Sequence, residues 1–105
     1  MTPTEISFYQ RFEADILAGQ KTITIRDESE KHFEPGSKVK VFTFETNRWF
    51  CDLEIKSVVP IHFDQLSDTH AQQENMTLEE LKTVIRDIYP NVNELYVITF
   101  QLSGE

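Results

Sequence analysis

The sequence predicts an α+β fold in which helices flank a small, curled β-sheet or barrel. Four segments show the alternation of apolar and polar residues that is typical of strands, and helical patterns lie before and after the central ones. The connections between the strands are short, which favours antiparallel neighbours. A chain of 105 residues has the length of one small domain, so we expect a single domain over residues 1–105.

A first helix is predicted for the segment SFYQRFEADILAG near the N-terminus. Ser7 can cap this helix, and Phe8, Phe12 and Ile16 recur at four-residue steps that place them on one face. Gly19 is well placed to end it, because glycine readily adopts the left-handed conformation found after many helices.

Strands are predicted at 21–26, 38–44, 48–58 and 94–102. The residues ETN between the second and third strands are few enough for a hairpin. A polar loop separates the first two strands and contains the turn signal Pro35–Gly36. Pro60 is expected to break the third strand, because proline lacks the N–H that a central strand needs.

Two more helices are predicted before the last strand. The first covers 67–75, with Ser67 or Asp68 as its cap. The second follows the sequence TLEELKTVIRDIYP, in which Thr77 and Glu80 form a capping box. Its apolar residues recur at steps of three and four and therefore share one face: Leu78, Leu81, Ile85 and Ile88.

The charge balance restricts the classes of partner. The chain has 18 acidic and 10 basic residues, for a net charge of −8. A protein held on duplex nucleic acid needs a basic surface, so we do not expect that partner. Cys51 is the only cysteine, which is typical of a reducing compartment. The sequence has no apolar run of membrane length and no apolar signal core, so it predicts a cytoplasmic protein with no membrane partner. A monomer is the default expectation.

Metal, cofactor and cysteine chemistry have little support in the residues. His32, His62 and His70 are scattered without the spacing of helical metal ligands, so no metal site is expected. The three glycines are isolated, so no phosphate-binding loop is present and no cofactor is expected. Cys51 shares a strand face with apolar residues, which favours a small buried residue over a nucleophile.

The segment KTITIR leaves two interpretations open. Thr22, Thr24 and Arg26 share one face of a regular strand, and the alternation alone favours a plain polar face. In the second interpretation Lys21, with its pKa lowered by burial, is the base that activates the Thr24 hydroxyl as a nucleophile. Lys21 points to the opposite face of a regular strand, so it would have to precede the strand or lie at a bulge.

Longer stretches of the sequence resemble a known family. The motifs FYQRF, DILAG, KTITIRDESE, HAQQENMTLEELK and DIYP are similar to those of the small bacterial YqfB-like proteins of the ASCH superfamily. This resemblance extends from about Ile6 to Phe100. The superfamily pattern G-x-K-x-x-E-x-R is matched by Gly19, Lys21 and Arg26. Its acidic position is occupied by a threonine here, as in the amidohydrolase branch.

The resemblance implies a PUA-like (ASCH) β-barrel with flanking helices and an N4-acetylcytidine amidohydrolase activity. The acetyl group of N4-acetylcytidine, and acyl groups of other N4-acyl cytosine nucleosides, would be released as a carboxylate. By the same resemblance Lys21 is the proton acceptor, Thr24 the nucleophile and Glu74 the proton donor. Attraction between Lys21 and Glu74 favours their charged forms, so the reverse assignment stays open, with Glu74 as base and Lys21 stabilising the oxyanion.

Substrate contacts are expected from planar side chains on which a cytosine ring can stack. Phe8 and Phe33 are the candidates for this role, with Tyr9 and Trp49 as further aromatic residues, and Arg26 is expected to bind the substrate by stabilising the oxyanion. A competing hypothesis is a PUA-like binding module for RNA or modified nucleosides without catalysis. It requires a basic face, which the net charge of −8 disfavours. A third hypothesis is a plain interaction domain in which this strand has no catalytic role.

Overall fold

The computed structural model describes residues 4–103, which contain five strands and three α-helices. The strands are β1 Glu5–Phe8, β2 Ile23–Arg26, β3 Lys38–Thr43, β4 Trp49–His62 and β5 Glu94–Leu102. The helices are α1 Glu13–Leu17, α2 Asp68–Gln73 and α3 Leu78–Ile88. Short 3-10 turns lie at Gln10–Phe12, Glu28–Glu30 and Phe63–Gln65. Among these described residues, no helix is both long enough and apolar enough to cross a membrane.

All five strands join in one mixed sheet with the order β1-β3-β4-β5-β2, so the α+β prediction is confirmed. β1 runs parallel to β3, and the other neighbouring pairs are antiparallel. The two edge strands, β1 and β2, lie close to each other: the guanidinium of Arg26 in β2 donates to the backbone carbonyl of Ser7 in β1 at 2.8 Å. Within residues 4–103 no backbone pairing joins β1 to β2, so the sheet curls without closing its ladder as a barrel.

The first predicted helix is wrong over its N-terminal part. Ser7 and Phe8 belong to strand β1, and α1 begins only after a 3-10 turn. Ile6 and Phe8 alternate into the core as strand residues, and β1 pairs with β3, where Ile6 lies opposite Val41. The pattern therefore reflects a distant strand partner and not a local helix. The prediction that Gly19 follows the end of the helix is confirmed, with a φ of +76°.

The predicted break at Pro60 is also wrong, because β4 continues through it to His62. Pro60 pairs with Tyr96 of β5. β3 pairs with β4 only as far as Glu54, so the outer half of β4 is an edge, where a missing N–H is tolerated. The β3–β4 hairpin, strand β5 and helices α2 and α3 lie where the sequence predicts them, with Ser67 as the N-cap of α2.

Apolar side chains pack in two clusters on the two faces of the sheet. One cluster joins β2 and β5 to α2 and α3, and the other joins β1, β3 and β4 to α1. Ile23 and Ile25 of β2 belong to the first cluster, whereas Ile98 of β5 belongs to the second. Thr24 lies directly opposite Ile98 in the β2–β5 ladder. Thr24 therefore faces the side of the sheet away from its two isoleucine neighbours.

Candidate active site

Lys21 lies in the short connection between α1 and β2. Gly19 turns the chain at the end of α1, and the backbone N–H of Lys21 then donates to the Asp15 carbonyl at 3.1 Å. Strand β2 begins only at Ile23. The strand is therefore two residues shorter than the predicted 21–26, and Lys21 precedes it, which is one of the two arrangements that the catalytic interpretation requires.

Glu74 is the C-cap of α2 and directly follows the last helical residue, Gln73. The chain turns sharply there, because the next residue, Asn75, has a φ of +59°. The N–H of Thr22 donates to the Gln73 carbonyl at 2.7 Å, which fastens the end of α2 to the residue after Lys21. This backbone contact brings Lys21 and Glu74 together although they are 53 residues apart in the sequence.

Lys21 and Glu74 form a buried ion pair and are only 3% and 6% exposed. Nζ of Lys21 donates to Oε1 of Glu74 and, at 3.0 Å, to the carbonyl of Ile23. The same nitrogen lies 4.8 Å from the ring centre of Phe12 and 5.6 Å from that of Phe8. Burial lowers the pKa of Lys21 below its ordinary value and outweighs the opposing attraction of Glu74.

Thr24 is only 4% exposed, so the interpretation of KTITIR as a strand with a plain solvent-facing side is wrong at this position. Its Oγ1 accepts a hydrogen bond from Nε of Arg26 at 2.7 Å. A hydroxyl that accepts one hydrogen bond still has its own proton to donate elsewhere. Lys21, Thr24 and Glu74 all line the same pocket.

Arg26 is held by three hydrogen bonds. Besides the bond to Thr24, one terminal nitrogen donates to Oε1 of Glu30 and the other to the carbonyl of Ser7, both at 2.8 Å. The guanidinium carbon also lies 4.8 Å from the ring centre of Phe8. These contacts fix the plane of the guanidinium, so the arrangement is suited to orienting the Thr24 hydroxyl.

The pocket around these groups encloses about 190 Å³ and has mainly aromatic and aliphatic walls. The segment from β1 to α1 and the β3–β4 hairpin supply aromatic rings, and α3 with the residue after it supplies mostly aliphatic side chains. The aromatic lining residues are Phe8, Tyr9, Phe12, Phe44 and Tyr89. Burial raises the pKa of Tyr89, so its hydroxyl stays protonated at neutral pH.

Of the residues considered for the site, six line this pocket: Lys21, Thr24, Glu74, Arg26, Phe8 and Tyr9. Phe33 does not, because its ring is buried in the apolar cluster with β3 and β4, and the prediction that it contacts the substrate is corrected accordingly. Trp49 also lies outside the pocket lining. Sequence reasoning missed Glu30, Phe44 and Tyr89. The one signal that the sequence offered for any of them was the position of Phe44, an aromatic residue beside the predicted hairpin turn.

Cys51 is buried in β4 and does not line the pocket. Burial, together with the neighbouring Asp52 carboxylate, raises the pKa of its thiol to about 11. Little thiolate exists at neutral pH, so this cysteine is a poor nucleophile. Within residues 4–103, no three His, Cys, Asp or Glu side chains are grouped so that they could hold a metal ion.

Proteins of a known family are similar to this chain in sequence. The sequence model of the ASCH domain matches residues 4–100. A protein of Haemophilus influenzae (strain 86-028NP) is 59% identical over 104 residues, which cover 99% of this chain and 100% of that protein. A protein of Vibrio vulnificus (strain CMCP6) is 62% identical over 99 residues, covering 94% and 95% of the two chains. Both relatives bear the name N(4)-acetylcytidine amidohydrolase.

Solved structures share the fold at much lower identity. The ASCH domain from Lactobacillus crispatus JV V101 has a TM-score of 0.76 at 18% identity, covering 94% of this chain and 79% of that one. ASCH from Zymomonas mobilis has a TM-score of 0.71 at 13% identity, covering 93% and 68%. Likeness at such identity concerns the fold alone, and it agrees with the sequence match. The chain belongs to the ASCH domain family.

Proposed function

We propose that this chain is an amidohydrolase that converts N4-acetylcytidine to cytidine and acetate. Relatives that are 59% and 62% identical carry this activity in their names. Within the chain, the observation that supports it most is the convergence of Lys21, Thr24 and Glu74 in one largely buried pocket. Acyl transfer from an amide can use a hydroxyl as nucleophile, a base that accepts the hydroxyl proton and an acid that protonates the leaving amine.

We assign the nucleophile to Thr24, the base to Lys21 and the acid to Glu74. The buried pair shares one proton, and its uncharged form has a neutral amine on Lys21 and a carboxylic acid on Glu74. In the acylation step Lys21 takes the hydroxyl proton while Oγ1 of Thr24 attacks the acetyl carbonyl. The tetrahedral intermediate collapses as Glu74 gives its proton to N4, so cytidine leaves and an acetyl ester remains on Thr24.

The second half of the cycle returns the pair to its starting state. After acylation Lys21 is an ammonium and Glu74 a carboxylate. Glu74 then removes a proton from a water molecule whose oxygen attacks the ester carbonyl. Lys21 returns a proton to Oγ1 of Thr24 as the ester bond breaks, and acetic acid is released. The cycle consumes one water and leaves the protonation of the protein unchanged.

Burial of the pair favours this assignment over the reverse, in which Glu74 is the base and Lys21 stabilises the oxyanion. Because burial lowers the pKa of Lys21, the neutral amine is more accessible than that of a solvated lysine. Arg26 already donates to three acceptors of the protein, one of which is Thr24. We therefore assign Arg26 the orientation of the nucleophile and not the binding of the oxyanion.

The charges that line the pocket favour a neutral nucleoside over a nucleotide or an RNA strand. The two Lys or Arg residues of its described lining are paired, Lys21 with Glu74 and Arg26 with Glu30. A phosphate group would need a further cation, and the whole chain has a net charge of −8. These charges also disfavour the alternative of a non-catalytic RNA-binding module. A single domain that acts as a monomer in the cytoplasm stays a prediction.

The test is incubation of the purified protein with N4-acetylcytidine, followed by chromatography for cytidine. We expect the wild type to release cytidine and Thr24→Ala to lose on the order of 10³-fold or more in kcat. Thr22→Ala is the matched control, since Thr22 lies in the same segment but outside the pocket lining. Lys21→Ala and Glu74→Ala are also expected to be inactive, with folding checked by circular dichroism.

Each outcome of this test has a separate meaning. Absence of cytidine release by the wild type would contradict the proposed activity on this substrate. Wild-type activity of Thr24→Ala would contradict the nucleophile assignment while leaving the activity in place. Intact-mass spectrometry of rapidly quenched wild-type reactions is expected to detect an acetyl adduct, and peptide mapping is expected to locate it on Thr24.

A further inference from the structure

Phe44 has the most exposed large apolar side chain in the described part of the chain, and it lines the candidate active-site pocket. It is 65% exposed and begins the turn between β3 and β4. Ile88, at the end of α3, is 40% exposed and lines the same pocket. Single exposed apolar residues are ordinary on protein surfaces. Two that line the rim of one pocket are instead placed where a ligand can cover both.

The backbone of Phe44 is held although its ring is exposed. Its N–H donates to the carbonyl of Phe8 at 2.7 Å, which ties the hairpin to the end of β1. The hairpin itself is closed by bonds between Thr43 and Arg48 at 2.9 Å and between Asn47 and Thr43 at 2.8 Å. The backbone therefore places the side chain of Phe44 beside the pocket before any ligand arrives.

Aromatic rings connect Phe44 to the catalytic pair. The ring of Tyr9 packs edge-on against Phe44, with ring centres 5.4 Å apart and planes at 72°. Tyr9 also packs against Phe12, with ring centres 6.4 Å apart. Phe12 in turn lies under Nζ of Lys21, 4.8 Å from its ring centre. All of these side chains line the one pocket, so a row of rings runs from its exposed rim to the base.

We propose that Phe44 is the stacking surface for the pyrimidine ring of the substrate, with Tyr9 supporting it from the side. The proposal rests on the proposed function: when the acyl carbon is at Thr24, the attached ring must extend from the buried end of the pocket toward its rim. The ring is planar and uncharged, and an exposed π-face of fixed position is the complement that such a ring requires. Folding leaves that face uncovered, and binding covers it.

Steady-state kinetics of Phe44 variants test the proposal. Stacking that is equal in the ground state and the transition state contributes to binding alone, so Phe44→Ala should raise KM on the order of 10-fold and leave kcat nearly unchanged. Phe44→Tyr should restore the wild-type KM, whereas Phe44→Leu, which is apolar but has no π-face, should not. Trp49→Ala is the matched control, because Trp49 is 52% exposed on the neighbouring strand but lies outside the pocket lining.

A binding measurement separates this proposal from the proposed function. Trp49 is the only tryptophan, so Trp49→Phe combined with Phe44→Trp places a single indole at the pocket rim. We expect N4-acetylcytidine and cytidine to quench the fluorescence of this double variant, and to leave that of the wild type, with Trp49 alone, unchanged. Quenching without hydrolysis by the wild-type protein would support the stacking surface and refute the activity. Equal KM values for Phe44→Ala and the wild type, or absence of quenching, would overturn the stacking role.

Discussion

Replacement of Lys21 by methionine is expected to lower the free energy of unfolding by about 3–5 kcal/mol at neutral pH. Methionine keeps much of the side-chain volume but removes the amine that donates to Glu74 and to the Ile23 carbonyl. Glu74, which is only 6% exposed, is then a buried carboxylate without its cation. The uncompensated charge sets the size of the effect, which is a large part of the roughly 5–15 kcal/mol that stabilises a typical domain.

Urea unfolding at neutral pH, followed by circular dichroism, measures the effect. The double variant Lys21→Met with Glu74→Leu is expected to recover most of the stability, because it leaves no buried charge. Lys31→Met is the exposed control: Lys31 pairs with Glu28 at 3.3 Å on the surface, and its loss is expected to be at most about 1 kcal/mol. If Lys21→Met and Lys31→Met lose the same stability at neutral pH, the Lys21–Glu74 pair is effectively hydrated and the reasoning for a lowered lysine pKa is refuted.

Three further results are expected. Arg26→Lys keeps the charge, but a lysine ammonium cannot reach Thr24, Glu30 and the Ser7 carbonyl together as the planar guanidinium does. We therefore expect kcat to fall about 10- to 100-fold with little change in KM. An unchanged kcat would contradict the orienting role of Arg26. The pH profile of wild-type kcat/KM should be bell-shaped, because activity requires the Lys21–Glu74 pair to hold one proton; loss of that proton sets the alkaline limb, which should lie below the ordinary lysine range because burial lowers the pKa of Lys21, and a limb within that range would contradict the lowered pKa. Cys51→Ala should keep wild-type kcat/KM. The native thiol should react slowly with iodoacetamide at neutral pH, because burial raises its pKa to about 11. Rapid alkylation of the folded protein would disprove that burial.

Elements whose signals lie within a few residues could be predicted from the sequence. The capping box of Thr77 and Glu80 marks the start of α3, and Gly19 follows the end of α1 with the positive φ that glycine tolerates. The alternation of β3 and β5 and the short turn between β3 and β4 were equally local signals. In each case the energy that selects the conformation comes from neighbouring backbone and side-chain groups.

Elements that depend on a distant partner could not be predicted in the same way. Ser7 and Phe8 fit a helical spacing, but β1 takes its hydrogen bonds from β3. Pro60 looks like a strand breaker, yet it is tolerated because the pairing of β3 with β4 ends at Glu54 and does not reach Pro60. Phe33 and Phe44 are both aromatic residues near turns, and only the packing of the sheet buries the first and exposes the second.

The sequence by itself determined the fold class, the N-caps of α2 and α3, the net charge and the family resemblance that pointed to Lys21, Thr24 and Glu74. Its local pattern left open whether KTITIR was a plain polar strand face. Only the tertiary structure decided that Lys21 and Glu74, 53 residues apart, are a buried ion pair and that Arg26 holds the Thr24 hydroxyl. The physical reason is that burial and pairing depend on how the sheet curls and where α2 docks, and these distances are set by contacts between segments remote in the chain.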